Sequence, residues 1–166
     1  MELIATNIKF RKFSEFQRGI ICELLKDGYS FESRYEMDCM TNWKEWDDFF
    51  YNNLQIADEC GFITTLNDTP IGFICWDPRH IPEYIEIGHN CILTKYKGNR
   101  IGKMQLQEAV KRMISKNVKK LVVTTDEQLV AAQKNYESVG FKFVQERKNE
   151  RNQEYAGKLI DYEVIL

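Results

Sequence analysis

Apolar positions recur along the chain in two rhythms, and the switches between them mark out the elements. Met1 to Phe10 fits a first strand. Ser14 is placed to cap a helix running to about Lys26 and ended by Gly28. Thr41 precedes a second helical stretch through about Asn53, with Trp43, Trp46 and Phe50 on one side. Residues 60–66 and 71–77 read as two strands, joined as a hairpin by Asn67-Asp68-Thr69-Pro70. Pro78 and Pro82 punctuate a loop, and residues 84–94 form a longer strand. A basic loop from Lys95 to Arg100 leads into a helix over about 101–116, whose Leu106, Ala109, Val110 and Met113 share one face. Lys120 to Thr125 reads as a buried strand. A helix over about 127–139 follows, carrying Leu129, Ala132, Tyr136 and Val139 on one stripe and stopped by Gly140. Segments 141–148 and 153–165 close the chain as strands. The order β-α-α-β-β-β-α-β-α-β-β predicts an α+β fold with a mixed sheet.

Composition adds boundaries to this picture. At 166 residues the chain fits one domain, spanning 1–166, and is long enough to form a core without a metal or disulfide staple. No apolar run nears the ~20 residues needed to cross a bilayer. Met1 to Phe10 is too short and polar for a signal peptide. The five cysteines are odd in number and none forms a CxxC pair, so reduced thiols in a cytoplasmic protein are expected. With two histidines and no ligand cluster around them, no metal is expected. Charge is unevenly spread: residues 95–120 hold nine bases and one acid, and residues 23–59 hold ten acids and three bases. The basic stretch lacks interleaved aromatic residues, which argues against a nucleic-acid surface.

The chemistry concentrates in Glu86 to Met104, EIGHNCILTKYKGNRIGKM. A strand ends, Gly98 turns the chain, and a helix begins near Ile101. The first amides of such a helix are unpaired and carry partial positive charge, so with Lys95, Lys97, Arg100 and Lys103 they suit an anion.

KYKGNRIG resembles the pyrophosphate-binding loop of the GNAT N-acetyltransferase superfamily, Gln/Arg-x-x-Gly-x-Gly/Ala. Lys97 stands at the Gln/Arg position, Arg100 at the first glycine and Gly102 at the second. Ala132, Tyr136, Gly140 and Phe141 match the family's A-x-x-x-Y-x-x-x-G-F signature, with Leu129 where an asparagine often stands. The resemblance implies a GNAT-like mixed central sheet with flanking helices, whose splayed strands form an acyl-CoA cleft. It implies acetyl-CoA as co-substrate, bound by Cys91, Ile92 and Leu93, by Lys97, Gly98, Asn99, Arg100, Ile101, Gly102 and Lys103, and by Ala132. It also implies transfer to a primary amine by direct attack on the thioester, with Tyr136 protonating the leaving thiolate. Glu86, eleven residues before Lys97, is the candidate base.

His89 lies on the opposite face of its strand and reads as structural. Tyr29, Glu32, Glu36 and Trp43, in the acidic and aromatic region, are expected to meet a cationic amine or peptide acceptor. A homodimer is compatible with the resemblance; a membrane or nucleic-acid partner is not expected. Because Arg100 and Leu129 depart from the family pattern, a catalytically inactive acyl-CoA-binding sensor stays open as the alternative.

Overall fold

The hairpin at Asn67-Asp68 sets the frame for the sheet. Both turn residues have left-handed backbones, at φ 50° and 64°, which matches the twist of two strands joined by a two-residue turn. The computed structural model describes residues 7–149 and 157–166. Its strands are β1 (Ile8–Arg11), β2 (Gly61–Leu66), β3 (Thr69–Asp77), β4 (Ile85–Ile92), β5 (Lys120–Asp126), β6 (Lys142–Lys148) and β7 (Lys158–Ile165). Its helices are α1 (Ile20–Gly28), α2 (Ser33–Asn52), α3 (Leu54–Glu59), α4 (Ile101–Ile114) and α5 (Val130–Ser138). The seven strands form a mixed sheet in the order β1-β2-β3-β4-β5-β7-β6, the expected α+β arrangement with flanking helices. The expected strand starts at 1–7 and 153–157 fall largely outside the described residues.

The chain forms two compact units. The first runs through Cys75 and adds His89–Gln105. Here β1, β2 and β3 pair antiparallel. Phe13, Ile21, Leu24, Leu25, Trp43 and Phe50 from the helical side pack with Ile63, Phe73, Cys75 and Cys91 from the strands. Ile71, Ile92 and Ile101 form a smaller cluster at the start of α4. The second unit holds Trp76–Gly88 and Leu106–Leu166. In it β4 pairs in parallel with β5 over Ile85–Ile87, β5 pairs antiparallel with β7, and β7 with β6. Ile85, Ile87, Leu121, Val123 and Tyr162 are buried on one face of these strands.

Several helix boundaries differ from those expected. Ser14 caps nothing: it lies in a 3-10 turn, and its amide donates to Asp58 at 3.1 Å. α1 begins after Gly19, whose φ of 104° admits only glycine comfortably. Its cap comes from elsewhere in the chain. Buried Asp47 of α2 accepts from the amides of Gly19, Ile21 and Cys22 at 2.8, 3.0 and 3.3 Å. Thr41 falls inside α2, which starts eight residues earlier at Ser33, and α3 is an additional short helix. α5 starts at Val130 because Asp126 first builds a turn, accepting from the amides of Gln128 and Leu129.

Candidate active site

The start of α4 is the most distinctive backbone feature of the first unit. Gly98 and Arg100 both adopt left-handed conformations, at φ 84° and 62°. Arg100 therefore holds the conformation that a glycine would supply at that position, at a steric cost that glycine would avoid. The first bond within the helix is Met104 N–H to the Arg100 carbonyl. The amides of Ile101, Gly102 and Lys103 precede it and have no carbonyl within the helix to pair with. Gly102 and Lys103 are half-buried, Ile101 is buried, and Asn99 folds back to donate to the Tyr96 carbonyl at 3.4 Å. This is a run of unpaired helix donors with Lys95, Arg100 and Lys103 nearby in sequence, the arrangement that takes a phosphate.

Lys97 is used differently. Its Nζ donates to the Gly28 carbonyl at the end of α1 at 2.6 Å and lies 4.8 Å from the centre of the Phe31 ring. Burial of the ammonium pulls its pKa down. The same loop is tied to α1 by Thr94, whose amide donates to Asp27 at 2.8 Å and whose hydroxyl donates to the Asp27 carbonyl at 3.0 Å.

At the end of β4, the backbone groups of Cys91 and Leu93 are engaged. The Cys91 carbonyl accepts from Gln105, Leu93 N–H donates to the Ile71 carbonyl, and the Leu93 carbonyl accepts from Tyr96. By strand alternation the peptide groups of Ile92 point away from β3. Gln105, which sequence reasoning missed, is fully buried and donates to the Phe73 carbonyl, the Asn90 side chain and the Cys91 carbonyl. It accepts from Thr64 at 2.7 Å. The available signal was a polar residue four before Ala109, on the edge of the apolar stripe.

In the second unit, Tyr136 is the buried residue of α5, 4% exposed, packed against Phe141 and Tyr162 with ring centres 5.6 and 6.3 Å away. Ala132, one turn earlier, is half-buried. Glu86 is half-buried on the open face of β4 and β5, opposite Val122 in register. Among the described residues it has no hydrogen-bond or ion-pair partner. His89 is structural, as expected: its ring packs edge-on to Trp46 at 5.3 Å, and burial drops its pKa to about 4.

The residues expected to meet an acceptor are mostly occupied. Trp43 is 3% exposed and stacks on Tyr29 inside the core, and Glu36 pairs with Lys26 at 3.3 Å. The expectation that the Trp43 indole faces a ligand is thus corrected, because the helix stripe that carries it turns into the core. Among the described residues no cluster of three or more His, Cys, Asp or Glu is placed to hold a metal, and no helix is long and apolar enough to cross a membrane.

This architecture matches solved structures across nearly the whole chain. A GNAT family acetyltransferase from Elizabethkingia anophelis with acetyl-CoA bound superposes with a TM-score of 0.71 at 19% identity, covering 96% of this chain and 99% of that one. The yncA protein of Salmonella typhimurium, solved with its cofactor acetyl-CoA, gives 0.77 at 11% identity, covering 96% and 94%. The ribosomal-protein-S18-alanine N-acetyltransferase from Escherichia coli gives 0.69 at 15%, covering 95% and 92%. At such identities the likeness is one of fold. No curated protein matches in sequence. The sequence model of the Acetyltransferase (GNAT) family matches residues 20–141, through the α4 loop and the Tyr136 helix alike, and the chain belongs to that family.

Proposed function

We propose that this protein is an acetyl-CoA-dependent N-acetyltransferase acting on a primary amine. The observation that carries the reading is the start of α4, where Arg100 keeps a glycine-like backbone and leaves the amides of Ile101, Gly102 and Lys103 open among basic residues. The fit to a CoA pyrophosphate rests on that geometry: anions are stabilised by unpaired helix amides, and Lys103 and Arg100 add charge-assisted contacts. Lys97 would serve the loop indirectly, by tying it to α1, and Ile92 would offer the free peptide edge of β4.

When bound, acetyl-CoA supplies an acetyl thioester. An alkylamine with pKa near 10 is mostly protonated at neutral pH, so it needs a base before it can act as a nucleophile. Glu86 would take that proton, directly or through water. The Tyr136 phenol would deliver a proton to the departing sulfur. The five free cysteines fit a reducing, cytoplasmic setting.

Thiol release from acetyl-CoA, measured with a broad amine panel and checked by intact mass of the product, tests the reading. Amine-dependent release is expected. Acetyl-CoA binding without any amine-dependent release would instead assign the protein as a sensor. Tyr136→Phe should lower turnover by ~10²-fold with acetyl-CoA affinity kept, since proton transfer acts in the transition state. Unchanged turnover with chemistry rate-limiting would return Tyr136 to the core alone.

A further inference from the structure

The second unit carries a concavity of about 310 Å³ on the open face of β4, β5, β6 and β7. We propose that it is the acceptor site and that it selects a single primary ammonium on an apolar stem. The inference rests on the N-acetyltransferase reading and narrows it to a substrate class.

Charge accounting within the concavity gives the class. Three carboxylates line it, Glu86, Asp161 and Glu163, with two cations, Lys120 and Arg147. Asp161 is saturated: it accepts from Thr124 at 2.6 Å, Gln145 at 2.9 Å, and Arg147 at 2.9 and 3.3 Å. Glu163 is paired with Lys120 at 3.4 Å. The nearby cation Arg79 is held by Asp77 through bonds of 2.7 to 3.1 Å. Of the three, Glu86 alone has no hydrogen bond or ion pair among the described residues, and Arg79, held by Asp77, acts on it only through its field, so the site has room for one positive charge. A carboxylate on the ligand would have to break the Lys120 or Arg147 pair. A second ammonium would find no acid that is not already matched.

Valines supply the apolar part of the lining, beside Tyr84, Thr124 and Tyr162. Val122 lies between Glu86 and Glu163 in register. Val144, at the irregularity between Phe143 and Gln145, is 47% exposed. Burying an alkyl stem there removes apolar area from water while the ammonium reaches Glu86. The volume lies at the lower end of the range for small-molecule sites, ~300 Å³ upward, which fits a short stem. A free alkylamine and a lysine side chain share this chemistry.

The test combines binding with selectivity. Hexylamine titrated into the protein should move the methyl NMR signals of Val122 and Val144. Kcat/KM for hexylamine should exceed that for 1,5-diaminopentane and 6-aminohexanoate by about tenfold or more, because each carries a charge the site leaves unmatched. Nα-acetyl-lysine methylamide matching or exceeding hexylamine assigns the lysine source; much poorer use assigns the free amine. Lys120→Met and Arg147→Met each release an acid and should shift preference toward the diamine by about tenfold. Equal use of the diamine by the wild type, or an unmoved preference in both variants, overturns the inference. Turnover of amines without perturbation of Val122 and Val144 overturns the site while leaving the enzyme reading intact. Hexylamine binding at these valines without turnover supports the site and removes the enzyme reading.

Discussion

The α1–α2 region and the open face of β4–β7 both carry carboxylates, and they use them in opposite ways. In the first, Asp47 caps α1, Asp48 pairs with Arg18, Glu36 pairs with Lys26, Asp58 holds the Ser14 amide and Asp27 holds the Thr94 amide. In the second, Asp161 and Glu163 are matched and Glu86 is not. The count of acids is far higher in the first region, yet the one proposed for the reaction lies in the second. Much of a dense charge run can be taken up by caps and surface pairs, whereas one carboxylate without an ion pair in a concavity remains available to a ligand.

That contrast can be broken by mutation, and the largest effect is expected at Glu86. Glu86→Gln should cut turnover by ~10²–10⁴-fold, because it keeps size and deletes the proton acceptor. Glu36→Gln should leave turnover within about twofold, since exposed pairs carry little energy. Steady-state kinetics of the two side by side would exchange the roles if the order came out reversed.

Next in size is the cap. Asp47→Ala removes three charge-assisted bonds at a buried site and should cost about 3–4 kcal/mol in denaturant unfolding. Asp48→Asn, on an exposed pair, should cost under ~1 kcal/mol. Similar midpoint shifts for both would mean that the cap contributes no more than a surface contact.

His89 gives the region a pH signature. Its pKa falls from the usual 6.5 to about 4 because burial disfavours the cation. The unfolded chain therefore binds that proton more readily. The contribution is fully present above pH 6.5 and is lost as pH falls through 6.5 toward 4, by about 3 kcal/mol in all. In His89→Gln the slope of stability between pH 4 and 6.5 should flatten, and an unchanged slope would assign it to other groups.

The smallest effect is expected at the loop. Arg100→Gly relieves the left-handed backbone at φ 62° and should raise stability by up to ~1 kcal/mol. CoA affinity, measured by calorimetry, should fall only by the loss of one charge if the open amides carry the binding.

What was legible in the sequence were features written locally. The β2–β3 hairpin follows from Asn67-Asp68, β4 and β5 from their apolar runs, and α4 from its stripe and preceding loop. The boundaries of α1 and α2 were not, because Gly19 and Asp47 lie 28 residues apart and only the fold brings them together. The same holds for Gln105, whose partners come from three strands. Glu86 and Tyr136, the base and acid proposed above, are named from pattern and resemblance. That Trp43 points inward and that Lys97 reaches Gly28 depend on helix orientation, which periodicity alone leaves open.

The cap on α1 also bears on how the chain folds. A nine-residue helix is too short to persist by itself in water. The acceptor for its first amides arrives only when the middle of α2 docks. The two helices should thus form together rather than in sequence, with Asp47 bridging a long stretch of chain early in assembly. Such a contact carries the entropic cost of closing that loop before the strands that follow have been made. Mutations at Asp47 would then slow folding as well as hasten unfolding, whereas changes on the β4–β7 face would register chiefly in the unfolding rate.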